Sequence, residues 1–244
     1  MRALCSAATP STGAFRDPAP VLWRLAAAAA APPLGEALRI AESIHVAVLA
    51  LAGRRFGADA IPPVLSGRGE GGAPLRGPKQ HLHKHVLVGS SDGGSRIELI
   101  AVWAPLGLTA EEREVVSRLH LRHRGGHIPL ERTERHPAFA RARSWRTLTP
   151  YLPFNHVKPR GRSSVEGQVR RELVEFRGLP NPESVRCASR IAGGAHLQRS
   201  RGRGRGEPPP RPHDLRITFA EPLRGPIALG RHAHFSLGVL VPAE

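Results

Sequence analysis

The chain has 244 residues, room for one or two domains with a substantial core. Lys+Arg number 36 against 20 Asp+Glu, a formal net charge of +16 and a pI near 11.6, which favours a polyanionic partner, most simply nucleic acid. Cys5 and Cys187 are the only cysteines, too few for a disulfide framework or a Cys-rich zinc site, and no apolar run approaches the roughly 20 residues needed to cross a bilayer.

Residues 1–33 are rich in Ala, Pro and small polar side chains and are expected to be irregular. The run from Ala26 to Ala31 lies behind Asp17 and Arg24 and ahead of Pro32 and Pro33, so it reads as a linker or helix start rather than a signal-peptide core, and the expected location is cytoplasmic. From Gly35 to about Gly53, Leu38, Ala41, Ile44, Val48, Leu49 and Ala52 recur at helical spacing. A glycine-rich loop from Ser66 to Pro78 leads into His81-Leu82-His83-Lys84-His85, followed by Val86-Leu87-Val88. The Ser/Asp/Gly cluster from Ser90 to Ser95 is a turn signal, and Ile97 to Trp103 is the strand returning from it. Thr109 and Glu112 have capping-box spacing and open a helix expected to reach about His123, before Gly125-Gly126. Val165, Val169, Leu173 and Phe176 mark a second helix, closed by Gly178 and Pro180. Residues 198–212 are of low complexity and expected to be mobile. Leu215, Ile217 and Phe219 alternate as in a half-buried strand, a Gly-Pro-Ile-Ala-Leu-Gly stretch starts at Gly225, and Leu237 to Val241 is a last apolar strand. Helices and strands mix without regular alternation, which points to an α+β fold.

The alternating histidines carry the chemistry. On a strand, His81, His83 and His85 share one face. Imidazole titrates near neutrality, so such a row can exchange protons at working pH or ligate a metal. Cleavage of RNA by its own 2′-hydroxyl needs a base, an acid and a cation beside the phosphate, and no metal. His81, His83, His85 and Lys84 supply those types together. His156, Lys158, Arg160 and Arg162 supply them again, and Arg231, His232 and His234 form a third candidate group. Gly225, Gly230 and Gly238 offer bare backbone that can approach phosphate closely. Walker-type and Gly-x-Ser-x-Gly motifs are absent.

These segments follow one another in a recognisable order. Ser66-Gly67-Arg68 precedes the histidine strand, and Val102-Trp103-Ala104-Pro105 ends its partner. Ser144-Trp145, Thr149-Pro150, His156, Lys158, Gly161-Arg162, Arg171-Glu172-Leu173 and Arg177-Gly178-Leu179-Pro180 come next. Phe219, Gly225-Pro226, Leu229-Gly230-Arg231-His232, Phe235 and Leu237-Gly238 close the chain. This resembles the carboxy-terminal half of the fused subunit of type I-U (I-G) CRISPR effector complexes, a repeat-processing endoribonuclease of the RAMP superfamily.

The resemblance runs from about Leu34 onward and implies tandem ferredoxin-like, RNA-recognition-motif-like folds. The first would span 34–140 and carry the histidine strand, and the second 141–244 with its glycine-rich loop on RNA. It also implies metal-independent cleavage of precursor CRISPR repeat RNA to mature guide RNA, leaving a 2′,3′-cyclic phosphate. No cofactor is implied, and the partners would be that RNA and the other subunits of an antiviral effector complex. Gln80, Asn155 and Ser236 stand where the family has Gly, a basic residue and Gly. No counterpart of the family's amino-terminal half is found, so the chain reads as a split subunit or a fragment. Two alternatives stand beside the nuclease, a non-catalytic guide-RNA-binding subunit and a metal enzyme built on the histidine strand. Among the histidines, His83 and His85 are favoured over His81 as base and acid because they lie nearer the apolar continuation of the strand.

Overall fold

Strict alternation in three short strands builds the first sheet. β1 (Val21–Leu25), β2 (His85–Gly89) and β3 (Leu99–Trp103) each send alternate residues to opposite faces. Val21, Trp23, Val86, Val88, Ile100 and Val102 pack in the core beneath α1 (Ala37–Phe56), whose stripe of Leu38, Ala41, Ile44, Val48 and Ala52 is fully buried. Leu22, Leu87 and Ala101 face the other way, against Ala138 and, from the second half, Ala228, Ala233 and Val239. The computed structural model describes residues 17, 19–26, 31–75, 82–90, 95–189, 197 and 210–243. His81, Gln80 and most of the low-complexity run from 198 to 212 lie outside them.

Chain order in the first unit is β1, α1, the short α2 (Pro63–Ser66), β2, β3, α3 (Ala110–Ser117), the hairpin β4 (Leu121–His123) and β5 (Gly126–Ile128), then β6 (Leu130–Arg132). Its sheet runs β2-β3-β1-β6, antiparallel throughout. That is the ferredoxin-like path of strand, helix, two strands, helix, strand. The second unit repeats it with β7 (Arg141–Thr147), α4 (Val165–Arg171), β8 (Ser184–Ser189), β9 (His213–Arg224), β10 (Ile227–Ala228) and β11 (Val239–Pro242). Its order, β10-β11-β7-β9-β8, is the same four-strand arrangement with β10 added outside. Turns between β10 and β11 stand where the second helix would be. The fold is therefore α+β, two ferredoxin-like units in tandem. No helix of the described residues is long and apolar enough to cross a membrane.

Three expectations change. Val21–Leu25, placed in an irregular amino-terminal segment, is a strand lying between β3 and β6, held there because Trp23 and its neighbours are buried on both faces. The helix opened by the Thr109–Glu112 capping box ends at Ser117, and Leu121–His123 is a strand instead. Arg124 and Gly125 both have positive φ, 49° and 81°, the geometry of a tight hairpin turn, and this turn pairs Leu121–His123 with Gly126–Ile128. The histidine strand begins only at His85, with His83 in the bend before it.

Candidate active site

The entry to β2 sorts its side chains. His83 and His85 point toward the second unit, as Leu87 does, while Lys84 turns toward α1 as Val86 does. The rings of His83 and His85 stack with centroids 6.1 Å apart. The second unit adds His234, whose ring stands 4.7 Å from that of His83 and 6.4 Å from that of His85. Backbone pairing holds it there, because Val86 N donates to His234 O at 3.1 Å and Val86 pairs in parallel with Phe235. Ser236 has φ +65° in the left-handed region where the resembled family has Gly. Its hydroxyl donates to Val86 O at 2.6 Å, a bond between the units that no glycine could make.

His85 is 1% exposed and both ring nitrogens are engaged. Nδ1 lies 3.0 Å from His83 O, an acceptor, so Nδ1 carries the proton and donates. Nε2 then accepts from Arg177 Nη1 at 3.4 Å, a long bond. Arg177 is itself held by Glu172 Oε1 at 3.2 Å and Ala228 O at 2.7 Å, and Glu172 Oε2 accepts from Gly230 N at 2.9 Å. Glu172 lies in a π-helical turn that continues α4 from Glu172 to Phe176. Burial pushes its carboxyl up while Arg177 draws it back, and burial lowers the Arg177 guanidinium while Glu172 raises it. His85 is thus a pin joining β2 to the second unit. In this arrangement the Nε2 lone pair of His85, expected to serve as acid or base, faces the Arg177 guanidinium.

His83 and His234 line a groove of about 940 Å³ walled by α1, β4 and the loop after α2, and Arg39, Arg68 and Arg122 line it too. His45 of α1 also faces it, a residue that sequence reasoning passed over. The available signal was a polar edge, Arg39, Glu42, Ser43 and His45, beside the apolar stripe of the helix. The His45 ring packs 5.0 Å from Phe235, and its Nδ1 lies 3.0 Å from Lys84 Nζ, which also donates to Leu65 O. Lys84 was expected on RNA. It is 1% exposed, and burial lowers its ammonium from 10.5 to about 7, so it supports His45 from beneath instead.

The other candidates separate. His156, Lys158, Arg160 and Arg162 are exposed on the loop before α4 and do not line the groove, and Arg162 pairs with Glu175 at 3.2 Å. Arg231 and His232 are half-buried beside the groove residue His234. Gly230 and Gly238 are buried, and a Cβ would stand 2.4 Å from Leu152 O and 1.9 Å from Leu229 O. At Gly225, half-buried, it would stand 1.8 Å from Ala138 O. Close packing inside the protein therefore requires glycine at all three positions. Among the described residues no group of three His, Cys, Asp or Glu is arranged to hold a metal ion.

No family model and no curated protein matches the chain. Two solved structures are similar in overall path. One is Csf5, the type IV Cas6 crRNA endonuclease, at 13% identity and TM-score 0.40, covering 92% of this chain and 99% of that one. The other is a Cas6 product complex, at 14% identity and TM-score 0.43, covering 93% and 100%.

Proposed function

We propose that this protein binds precursor CRISPR repeat RNA and cuts it without a metal to yield guide RNA, in the cytoplasm, as part of a type I-U/I-G antiviral effector complex. The ordered motifs that resemble that family, the net charge of +16 and the tandem ferredoxin-like fold support this reading. The observation that carries it is the convergence of His83, His234 and His45 from the bend before β2, the β10–β11 turns and α1 on one groove with three arginines. His234 and His45 both pack on Phe235, at 4.3 and 5.0 Å, which gathers the two imidazoles about one aromatic ring. A neutral imidazole takes the 2′-hydroxyl proton, and the 2′-oxygen forms its bond to phosphorus. The bond to the 5′-oxygen breaks as an imidazolium protonates it, leaving a 2′,3′-cyclic phosphate and a 5′-hydroxyl. Arg39, Arg68 and Arg122 offset charge on the phosphorane.

Single-turnover cleavage of repeat RNA in the presence of chelator tests this. His45→Ala, His83→Ala and His234→Ala should each be measured, and loss of the acid or base should slow cutting by about 10²–10⁴-fold with repeat affinity nearly unchanged. Unchanged rates in all three variants would move the chemistry elsewhere, and chelator-sensitive cutting would favour a metal enzyme. The capture of both His85 nitrogens favours a second reading, a subunit that binds guide RNA without cutting. Repeat binding with no cleavage by the wild-type chain would select it.

A further inference from the structure

A second cavity, of about 260 Å³, lies where the two units meet, and His85 stands in its wall. Trp103, Phe176, Leu82 and Leu179, all half-buried, give it an aromatic and aliphatic lining. Two guanidinium groups complete it, Arg177 and the exposed Arg224, and no carboxylate is among the described residues that line it. Arg177 is oriented by Glu172 and Ala228 O, and its buried Nε–H has no acceptor among the described residues, so the guanidinium keeps donor capacity. The Trp103 ring lies 5.5 Å from His85, and the His85 ring lies 6.1 Å from His83 in the groove.

Half-exposed tryptophan, phenylalanine and leucine gathered in one concave site mark a place for a ligand. Arg177 is ion-paired with Glu172, which lies outside the lining, so the exposed Arg224 supplies the cation that favours a flat, anion-bearing ligand over an aliphatic side chain of a protein partner. A nucleobase offers a π-face to the indole and guanidinium, and its own phosphate to Arg224. The cavity has room for a base.

We propose that this cleft receives a single unpaired nucleobase of the RNA whose backbone lies in the neighbouring groove, stacked on Trp103 with a flanking phosphate on Arg224. The inference rests on the reading of RNA as the substrate. It gives His85 a purpose, because the residue that walls the cleft also sets the position of His83. A base seated there fixes which phosphate reaches the groove histidines.

The test uses the full chain and repeat RNAs carrying one abasic site at each unpaired position in turn. Removing the seated base should weaken binding by between about 5- and 150-fold at that position alone. The parent RNA, unlike that abasic RNA, should quench tryptophan fluorescence, and Trp103 should be the responder because Trp23 and Trp145 are only 2% and 0% exposed. Trp103→Ala should erase the difference between parent and abasic RNA, while Trp103→Phe, which keeps a stacking ring, retains most of it. Equal binding of every abasic RNA, or a difference that survives in Trp103→Ala, overturns the cleft and leaves the substrate reading standing. Failure of the wild-type chain to bind any repeat RNA at low salt overturns both.

Discussion

Lys84 and His136 tie stability to pH through burial. Burial lowers the Lys84 ammonium from its ordinary 10.5 to about 7 in the folded protein. Between those values the unfolded chain holds more protons, so stability is fully present above about 10.5 and is lost as pH falls toward 7. His136, 5% exposed, accepts from Ala138 N through Nδ1, and burial lowers it from 6.5 to about 4. Its contribution is present above 6.5 and is lost as pH falls through about 4. One pKa unit corresponds to about 1.4 kcal/mol, so each window spans several kcal/mol. Denaturant midpoints measured from pH 4 to pH 10 should therefore rise in two stages, and Lys84→Met should flatten the upper stage only. An upper stage that persists in this variant would show that another group causes it. The pin at His85 makes a different forecast. His85→Ala leaves a buried guanidinium and carbonyl short of a partner, costing about 1–3 kcal/mol, whereas His83→Ala removes ring packing on His85 and His234 and should lower the melting temperature less. A common melting temperature for the two variants would remove the distinction between a structural and a reactive histidine. The row His81-x-His83-x-His85 was visible in the sequence as a candidate site, but the division of labour within it was not. That division depends on Arg177, 92 residues further along the chain.

At the scale of elements, Gly238 and Gly178 form a natural comparison. Both have positive φ, +59° and +63°, so alanine meets similar backbone strain at each. A Cβ at Gly178 meets open space, but at Gly238 it stands 1.9 Å from the Leu229 carbonyl oxygen. Gly178→Ala should thus cost about 1–2 kcal/mol, and Gly238→Ala several times the drop in thermal midpoint. Equal drops would mean that the loop yields without cost. The glycines were legible as special positions, while their neighbours, brought from distant segments, were not. The Thr109–Glu112 box identified the start of α3 because both halves of the motif are local, and both of its bonds form. The end of α3 was missed because Leu119 and Leu121 continue an apolar pattern that helix and hairpin share. β1 was missed because only five residues carry it, between stretches of alanine and proline. β7 alternates Arg141, Arg143 and Trp145 with small or polar residues, too weak a period to stand out alone.

Across the whole molecule the arginine surplus should dominate association. Of 36 basic residues only Lys79, Lys84 and Lys158 are lysines, and a planar guanidinium fork suits phosphate. Repeat RNA should bind tightly at low salt, and the logarithm of affinity should fall linearly with the logarithm of salt concentration. Structured repeat should outlast unrelated RNA of equal length as salt rises, and identical curves would reduce the interaction to nonspecific attraction. The Val86–His234 backbone pair has a thermal consequence. His83 precedes β2 of one sheet and His234 lies in the turns between β10 and β11 of the other, so the groove exists only while the two halves are docked. Warming can part them before either half melts. Cleavage should then cease at an undocking temperature below the point where circular dichroism collapses. The Val86 amide, bonded outward to His234, should exchange its hydrogen through that partial opening, while amides within the β2–β3 ladder stay protected until global unfolding.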